Sequence, residues 1–272
     1  MSKAIALGVA GVAVSFAVLA AGYLVGDRSE LTAVSSSSAA ETQPSTLADL
    51  DRAEVEQIVH DYLVANPDIL VEMQTALDVR QQEEQRLAQM ETIETASDQI
   101  FNAAYDGIVG NPEGNVTIVE FFDYNCGYCK RAMEDMEAMV AADPDLRFVL
   151  KEFPILGPDS QKAHVVSMAF RALAPEKYGE FHRALLGAGR ADEAKAIKAA
   201  MALGVDEAAL REEMKNPAIM EAFGQTYDLA NSLNITGTPS YVVGQEVVFG
   251  ALGQDVLAEK VEMARACADG EC

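Results

Sequence analysis

The 272 residues carry 43 acidic and 20 basic side chains, which give a formal net charge of −23, and half of the chain is hydrophobic. Such a chain can bury a substantial core, and its length allows one large domain and a smaller accessory region. The excess of negative charge would repel the phosphates of nucleic acids and anionic lipids. The composition therefore argues against a nucleic-acid-binding function.

The first 26 residues have the pattern of an export segment. Residues 4–26 form a run without a charged side chain, preceded by Lys3 and followed by Asp27 and Arg28. We expect residues 1–26 to be a signal peptide or a signal anchor, and the rest of the chain to lie in the periplasm or elsewhere outside the cytoplasm. The run is long enough to span a bilayer, so retention in the inner membrane competes with cleavage. Both alternatives stay open.

Two further stretches precede the main domain. Residues 27–46 are rich in Ser, Ala, Thr and Glu and predict a flexible linker, because they offer too little apolar surface to fold. Residues 47–105 contain two short amphipathic helical segments, followed by a polar stretch at 80–86 that predicts a helical linker. Short amphipathic helices cannot bury their apolar stripes alone. We expect this region to assemble with copies of itself, with docking on its own chain as the alternative.

The remaining residues, 106–272, predict an α/β domain. Segments rich in β-branched and aromatic residues at 116–122 and 146–153 are typical of buried strands. Helical patterns fill 160–233, and a short hairpin and a final helix follow. The order β-α-β, helical insertion, β-β-α is that of a thioredoxin-like fold with an inserted helical segment.

The strongest chemical motif is Cys126-Gly127-Tyr128-Cys129, where the first predicted strand passes into a helix. Unpaired N–H groups and the helix dipole stabilise a thiolate there, so Cys126 is the predicted nucleophile. Cys129 follows one turn later on the same face and is the predicted resolving cysteine. A Cys-x-x-Cys pair is also half a zinc site, but the second half is missing, so we expect neither a metal nor a cofactor.

Glu120 stands in an otherwise apolar strand, six residues before Cys126. Burial would raise the pKa of its carboxyl group and let it exchange a proton with Cys129. The alternative is an exposed strand position. Lys151 is a candidate partner for this carboxylate.

The stretch Thr236-Gly237-Thr238-Pro239-Ser240 leads into the predicted hairpin. A proline at the start of a strand shapes a turn, which favours a cis bond between Thr238 and Pro239. Such a loop can present backbone groups to a substrate peptide. An ordinary turn is the alternative.

Three separated motifs together resemble the DsbA family of the thioredoxin superfamily, and within it the branch of the suppressor-of-copper-sensitivity protein C (ScsC) and Com1. The motifs are VTIVEFFDYNCGYCK with Gly110-Asn111-Pro112 before it, KEFPILGPDS at 151–160 and ITGTPSYVVG at 235–244. The segment around 55–73, with YLVANPDIL, resembles the helical oligomerisation region of ScsC proteins.

This resemblance implies two groups of site residues. The catalytic group is Cys126, Cys129 and Glu120. The substrate-binding group is Thr238, Pro239, Gly127 and Tyr128. The Gly-Tyr dipeptide and the Thr before the proline are similar to those of the disulfide isomerase DsbC rather than to those of the oxidant DsbA.

The predicted function is that of an extracytoplasmic thiol:disulfide oxidoreductase acting on exported proteins, with isomerase or reductase activity favoured. The resemblance implies a homo-oligomer, a trimer in ScsC relatives, and a membrane redox partner that resets the active site. A DsbA-like dithiol oxidase and a non-catalytic copper-binding or chaperone protein are the alternatives. Cys267 and Cys272 are expected to form a small disulfide in the tail, with electron relay or copper binding as alternatives.

Overall fold

The structure is a computed structural model that describes residues 51–268 and residue 270. The helices are α1 (Arg52–Ala65), α2 (Asp68–Thr95), α3 (Ser97–Phe101), α4 (Gly127–Ala142), α5 (Pro158–Leu173), α6 (Tyr178–Gly187), α7 (Glu193–Ala202), α8 (Glu207–Glu213), α9 (Pro217–Ser232) and α10 (Gln254–Ala268), with a 3-10 turn at Pro175–Lys177. The strands are β1 (Gly107–Gly110), β2 (Val116–Phe122), β3 (Leu146–Glu152), β4 (Ser240–Val243) and β5 (Glu246–Phe249).

The chain divides into two compact units, Met1–Val64 and Ala65–Cys272. Helix α1 belongs to the first unit up to Val64, and it contains no buried residue. The second unit contains every later element that the structure describes. The predicted signal segment 1–26 and the predicted linker 27–46 lie outside the described residues, and the boundaries predicted at 46/47 and 105/106 stay predictions.

A five-stranded mixed sheet in the order β1-β3-β2-β4-β5 organises the second unit. Strands β2 and β3 are parallel, and the other three pairings are antiparallel. The two central strands, VTIVEFF and LRFVLKE, are buried along almost their whole length. Strands with both faces covered need apolar side chains in succession rather than in alternation, which explains these sequences.

The sheet separates two hydrophobic clusters. One contains Ile118, Phe122 and both cysteines of α4, together with side chains of α5 and α6. The other contains Val119 and Phe121, together with side chains of α2, α3 and α9. Successive strand residues therefore supply opposite faces, as the period of two requires.

The thioredoxin-like fold with inserted helices is confirmed, and one element was missed. Strand β1 at Gly107–Gly110 pairs with β3 at the sheet edge, although its four residues include two glycines and gave no strand pattern. Gly107 has a packing reason, since an added Cβ would lie 1.9 Å from a ring carbon of Tyr178. The polar stretch 80–86 lies inside α2, whose later part carries the buried Gln89 and Ile93.

Lys151 does not pair with Glu120, and that expectation is corrected. In the parallel pairing of β2 with β3, Lys151 is the partner of Phe121, so it points to the opposite face from Glu120. The Lys151 ammonium group lies 2.6 Å from a carboxylate oxygen of Asp106 and also contacts the carbonyl of Gln99. Both members of the ion pair are almost fully enclosed, with side-chain exposures of 0% and 3%.

Removal of one charge of the buried Lys151–Asp106 pair should lower the stability of the fold. We expect Asp106→Asn to lower the free energy of unfolding by about 3 kcal/mol, because it leaves a buried ammonium group without its counter-charge. Combining it with Lys151→Met should recover part of that loss, since neither charge is then buried. Urea unfolding of both variants measures the difference. A double variant less stable than Asp106→Asn alone would contradict this account of the pair.

Candidate active site

Cys126 occupies the N-terminal cap of α4. Its backbone is extended, with φ −74° and ψ 118°, and its sulfur accepts a hydrogen bond from the backbone N–H of Cys129 at 3.4 Å. The first N–H groups of a helix lack partners within the helix, so they are available to a negatively charged sulfur. Cys126 is 6% exposed and Cys129 is 1% exposed, and both are free thiols.

The loop before β4 faces the same sulfur. The Thr238–Pro239 peptide bond is cis, as the sequence predicted. The Cys126 sulfur lies 3.1 Å from the carbonyl oxygen of Thr238. Pro239 is buried and Thr238 is half-buried, so the loop closes one side of the cysteine while Thr238 stays partly accessible.

Gly127 and Tyr128 form the exposed rim of the site. Both lie in the first turn of α4, and the Tyr128 side chain is 59% exposed. The guanidinium group of Arg131 stacks over the Tyr128 ring at 4.2 Å from its centroid. A glycine beside the nucleophile keeps the approach open, since nothing lies within 4 Å of the position a Cβ would take.

The environment strongly favours the thiolate of Cys126. A hydrogen bond from the Cys129 thiol lowers the pKa of Cys126 most, and hydrogen bonds from Thr238 and the backbone of Cys129 and Tyr128 lower it further, against the opposing effect of burial. The resulting pKa is about 5. Cys126 is therefore mostly ionised at neutral pH and suited to nucleophilic attack.

Glu120 and Cys129, the two neighbouring acidic groups, have pKa values that are raised rather than lowered. Burial raises the pKa of Glu120 to about 8, and the negative charge of Cys126 adds to this effect. Burial, the hydrogen bond to Cys126 and the charge of Glu120 keep the pKa of Cys129 far above its ordinary value. Glu120 is 3% exposed in the centre of β2, so the alternative of a surface position is excluded.

Sequence reasoning missed the side chain that holds the loop before Cys126. The buried Asp123 carboxylate accepts hydrogen bonds from the backbone N–H of Asn125 at 2.7 Å, the backbone N–H of Leu156 at 2.9 Å and the Ser160 hydroxyl at 2.8 Å. Asp123 thus joins the active-site loop to the start of α5. Its position directly after an apolar strand is the signal that could have singled it out.

A second buried carboxylate was also missed. Glu152 accepts hydrogen bonds from Nδ1 of His164, the Ser167 hydroxyl and the Tyr178 hydroxyl at 2.9 Å. The opposite ring nitrogen of His164 accepts the backbone N–H of Tyr124 at 3.2 Å. Nδ1 of His164 therefore donates its proton to Glu152, and the ring ties the end of β3 to the active-site loop.

The remaining features are the two cysteines of the tail and the possible metal ligands among the residues that the structure describes. Cys267 is disulfide-bonded, and Cys272 lies outside the described residues. Among residues 51–268, no group of three or more His, Cys, Asp or Glu side chains is arranged to hold a metal ion. In the same part of the chain, no helix is both long and apolar enough to cross a bilayer, and residues 4–26 are not part of it.

Family comparisons agree with this geometry. Residues 117–262, more than half of the chain, match the DSBA-like thioredoxin domain, and residues 51–84 match the Copper resistance protein ScsC N-terminal domain. The chain belongs to the DsbA-like thioredoxin family. The domain at 117–262 is a thiol:disulfide oxidoreductase domain of the DsbA type.

Individual relatives give the same result. A thioredoxin-like oxidoreductase from Silicibacter pomeroyi DSS-3 is 42% identical, with a TM-score of 0.59, over 62% of this chain and 96% of that one. Proteus mirabilis ScsC in a transitional conformation is 28% identical, with a TM-score of 0.59, over 81% of this chain and 99% of that one. Disulfide bond formation protein D of Bacillus subtilis is 23% identical, over 57% of this chain and 75% of that protein.

The match to longer proteins covers only part of them. The chain spans 25% and 24% of the length of two curated relatives from Salinispora species, both Na(+)/H(+) antiporter NhaA proteins. The shared region amounts to about 60% of this chain.

The ionisation of Cys126 can be measured directly. In the reduced protein, we expect one thiol to ionise with a midpoint near pH 5, and the ultraviolet absorbance of the thiolate measures this transition. Cys126→Ser should lose the transition. Because the folded pKa lies below the unfolded value of about 8.5, the contribution of Cys126 to stability is complete only above that value and is lost as the pH falls towards 5. The stability advantage over Cys126→Ser should therefore grow from pH 5 to 9. A transition near pH 8.5 would contradict the geometry.

Proposed function

We propose that this protein is an extracytoplasmic disulfide isomerase and reductase that acts on exported proteins through Cys126 and Cys129. The observation that supports it most is the contrast between the two sulfurs. Cys126 is held as a thiolate at a helix N-terminus, while Cys129 lies protonated below it, beside the buried Glu120. Such a pair can attack a disulfide and then be released in two ways.

The reaction begins with the Cys126 thiolate. It attacks one sulfur of a substrate disulfide, a new bond forms between Cys126 and that sulfur, and the other substrate sulfur leaves as a thiolate. Gly127, Tyr128, Thr238 and Pro239 surround the attacking sulfur and form the proposed substrate-binding surface. The half-buried position of Thr238 beside Cys126 supports this role, since an extended peptide can pair with the backbone of such a loop.

The mixed disulfide has two exits. If another substrate thiolate attacks the substrate sulfur, Cys126 is released unchanged and the substrate disulfide has been rearranged. If Cys129 loses its proton to Glu120 and attacks the Cys126 sulfur, the substrate leaves reduced and Cys126 and Cys129 become a disulfide. Glu120 suits the second exit because its pKa of about 8 lies near working pH.

Assembly is the feature that favours isomerisation. Helix α1 exposes apolar side chains at helical spacing, and none of its residues is buried. The exposed fractions are 42% for Val55, 54% for Ile58, 51% for Val59, 60% for Tyr62 and 45% for Leu63. Covering this stripe with the same stripe of other copies would remove it from water. The family match at 51–84 supports a homo-oligomer built by the region 47–105, with the catalytic domain at 106–272.

The cellular setting follows from the same likeness. A structural relative from Salmonella enterica serovar Typhimurium is described as a periplasmic thioredoxin-like protein. We infer a periplasmic location for this protein, by cleavage of residues 1–26 or by anchoring through residues 4–26. A membrane redox partner would return the Cys126 and Cys129 pair to its working state.

A dithiol oxidase is the second candidate, and the low pKa of Cys126 favours it. Stabilising the thiolate stabilises the reduced pair, which makes the oxidised pair a stronger oxidant. The same residues then react in reverse, because a substrate thiolate attacks the Cys126–Cys129 disulfide. A copper-binding or chaperone function is supported only by the description of the ScsC N-terminal family as a copper resistance protein.

Substitutions of the two cysteines separate the exits. Cys126→Ser should abolish isomerase, reductase and oxidase activity, because all of them pass through a bond to Cys126. Cys129→Ser should lose reductase turnover yet retain part of the isomerase activity and accumulate mixed disulfides. Reactivation of a scrambled multi-disulfide protein and reduction of a simple disulfide measure the two activities. Turnover by Cys126→Ser would refute the mechanism.

The role of assembly is better tested by substitution than by truncation. A chain starting at Asp106 would lose Ile93 and Ile100, which are 3% and 0% exposed and belong to the core of the second unit. We therefore choose Ile58→Asp within the exposed stripe. The matched control is Val64→Asp, because Val64 is 67% exposed but lies on the opposite side of α1.

Ile58→Asp should dissociate the oligomer and reduce the reactivation of scrambled substrate several-fold, while reduction of a simple disulfide stays unchanged. Val64→Asp should behave like the parent protein in both assays. Light scattering with size-exclusion chromatography reports the subunit number. A parent protein that is monomeric, or a dissociated variant with full isomerase activity, would refute the oligomer-dependent isomerase and leave the oxidase or reductase.

A further inference from the structure

A buried phenol lies next to the carboxyl group of Glu120. In the antiparallel pairing of β2 with β4, Tyr241 is the direct partner of Glu120. Residues opposite each other in such a pair point to the same face, with Cβ atoms about 4.5 to 5.5 Å apart. Tyr241 is 2% exposed and belongs to the same hydrophobic cluster as Cys126 and Cys129. The phenol therefore shares the enclosed site of the carboxyl group.

Four groups that can carry a negative charge act on Tyr241 electrostatically. They are Glu120, Cys129, Asp135 and Cys126. Burial, and then these negative charges, keep the pKa of Tyr241 far above its ordinary value. The phenol stays protonated and can donate a hydrogen bond to an ionised carboxylate.

Asp135 extends this arrangement towards solvent. It lies on α4 and is half-buried, three residues after Ala132, which in turn follows Cys129 by three residues. Side chains three apart are neighbours on a helix, so Asp135 flanks the buried face that carries Cys129. A partly exposed carboxylate is thus among the groups that act on the phenol.

We propose that Tyr241 is a positioning residue for the resolving step, whose hydroxyl holds the ionised Glu120 carboxylate by a hydrogen bond and passes its proton on towards Asp135 and solvent. This inference rests on the role proposed above for Glu120. It gives the buried Glu120 carboxyl group, of which only 3% is exposed, a route for losing the proton that it takes up.

The step balances without an external oxidant or reductant. Cys129 gives its proton to Glu120, and its thiolate attacks the Cys126 sulfur. The Cys126–Cys129 bond forms, the bond from Cys126 to the substrate breaks, and the substrate thiolate takes a proton from water. Glu120 then gives its proton to the Tyr241 oxygen, which releases its own proton towards Asp135 and solvent.

The test is a pre-steady-state comparison of Tyr241→Phe with the parent protein. The phenyl ring keeps the packing and removes only the hydroxyl. Formation of the mixed disulfide by Cys126 should change by less than about twofold, whereas its resolution by Cys129 should slow by about tenfold, a fraction of what a direct acid or base contributes. Tyr105→Phe is the matched control, because this half-buried phenol interacts with Asp106 and Thr226 instead.

A pH profile distinguishes positioning from packing. A hydrogen bond to the ionised carboxylate lowers its pKa, so removing the donor raises it. The rate of resolution should rise with pH in the parent protein, around a higher midpoint in Tyr241→Phe, and without this transition in Glu120→Gln. The other charged and titratable groups that act on Glu120, Cys129 or Tyr241 are Cys126, Asp135 and Lys130.

Each outcome decides the proposal. An unchanged resolving rate and midpoint in Tyr241→Phe would overturn it, as would equal slowing of both steps, which indicates a packing role. Asp135→Asn should slow resolution by a smaller factor, and an unchanged rate would remove Asp135 from the route. If the parent protein forms no mixed disulfide at all, the proposed function fails instead, and the failure is thereby distinguished from that of Tyr241.

Discussion

The chemistry depends on one junction, the turn between β2 and α4. The Asp123 carboxylate holds this turn with three hydrogen bonds from Asn125, Leu156 and Ser160. Because the turn is fixed, Cys126 stands at the cap position of the helix, where free N–H groups meet its sulfur. Burial raises the pKa of Asp123, but the hydrogen bond and charge of His164, and then the hydrogen bonds from Asn125 and Ser160, bring it below the ordinary value. The reactive sulfur is therefore positioned by a charge that takes no part in the reaction.

The same junction gives Cys126 and Cys129 different pKa values, although two free cysteine thiols in water have the same one. One turn of helix moves Cys129 under Cys126, away from the unpaired N–H groups and next to Glu120. The negative charges of these groups destabilise one another, because that of Cys126 raises the pKa of Glu120 and that of Glu120 raises the pKa of Cys129. The negative charge of the site is therefore favoured on Cys126, where the helix N–H groups meet the sulfur, until a bond to substrate removes it. Bond formation at Cys126 is thus coupled to ionisation of the groups beneath it.

The sequence predicted most of this fold because its signals are local. Two central strands had continuous apolar runs, and the cysteine motif followed the first of them at once. Strand β1 was not predicted because its own sequence carries no strand pattern. Its pairing with β3 comes from tertiary contact. Lys151 was assigned to the wrong partner for a related reason. Whether a residue in a doubly buried strand faces one layer or the other depends on register, and a run without alternation does not reveal register.

The candidate site shows the same division between local and distant information. Cys126, Cys129 and Glu120 lie within ten residues, and motif spacing was enough to find them. Asp123, Glu152 and Tyr241 were not singled out, because each of them meets partners from other parts of the chain. A polar side chain in an apolar run signals burial, but only the folded arrangement shows what satisfies it. Motif spacing in the sequence is thus enough to identify the residues that react. The residues that position them are identified only from the packing of the helices against the sheet.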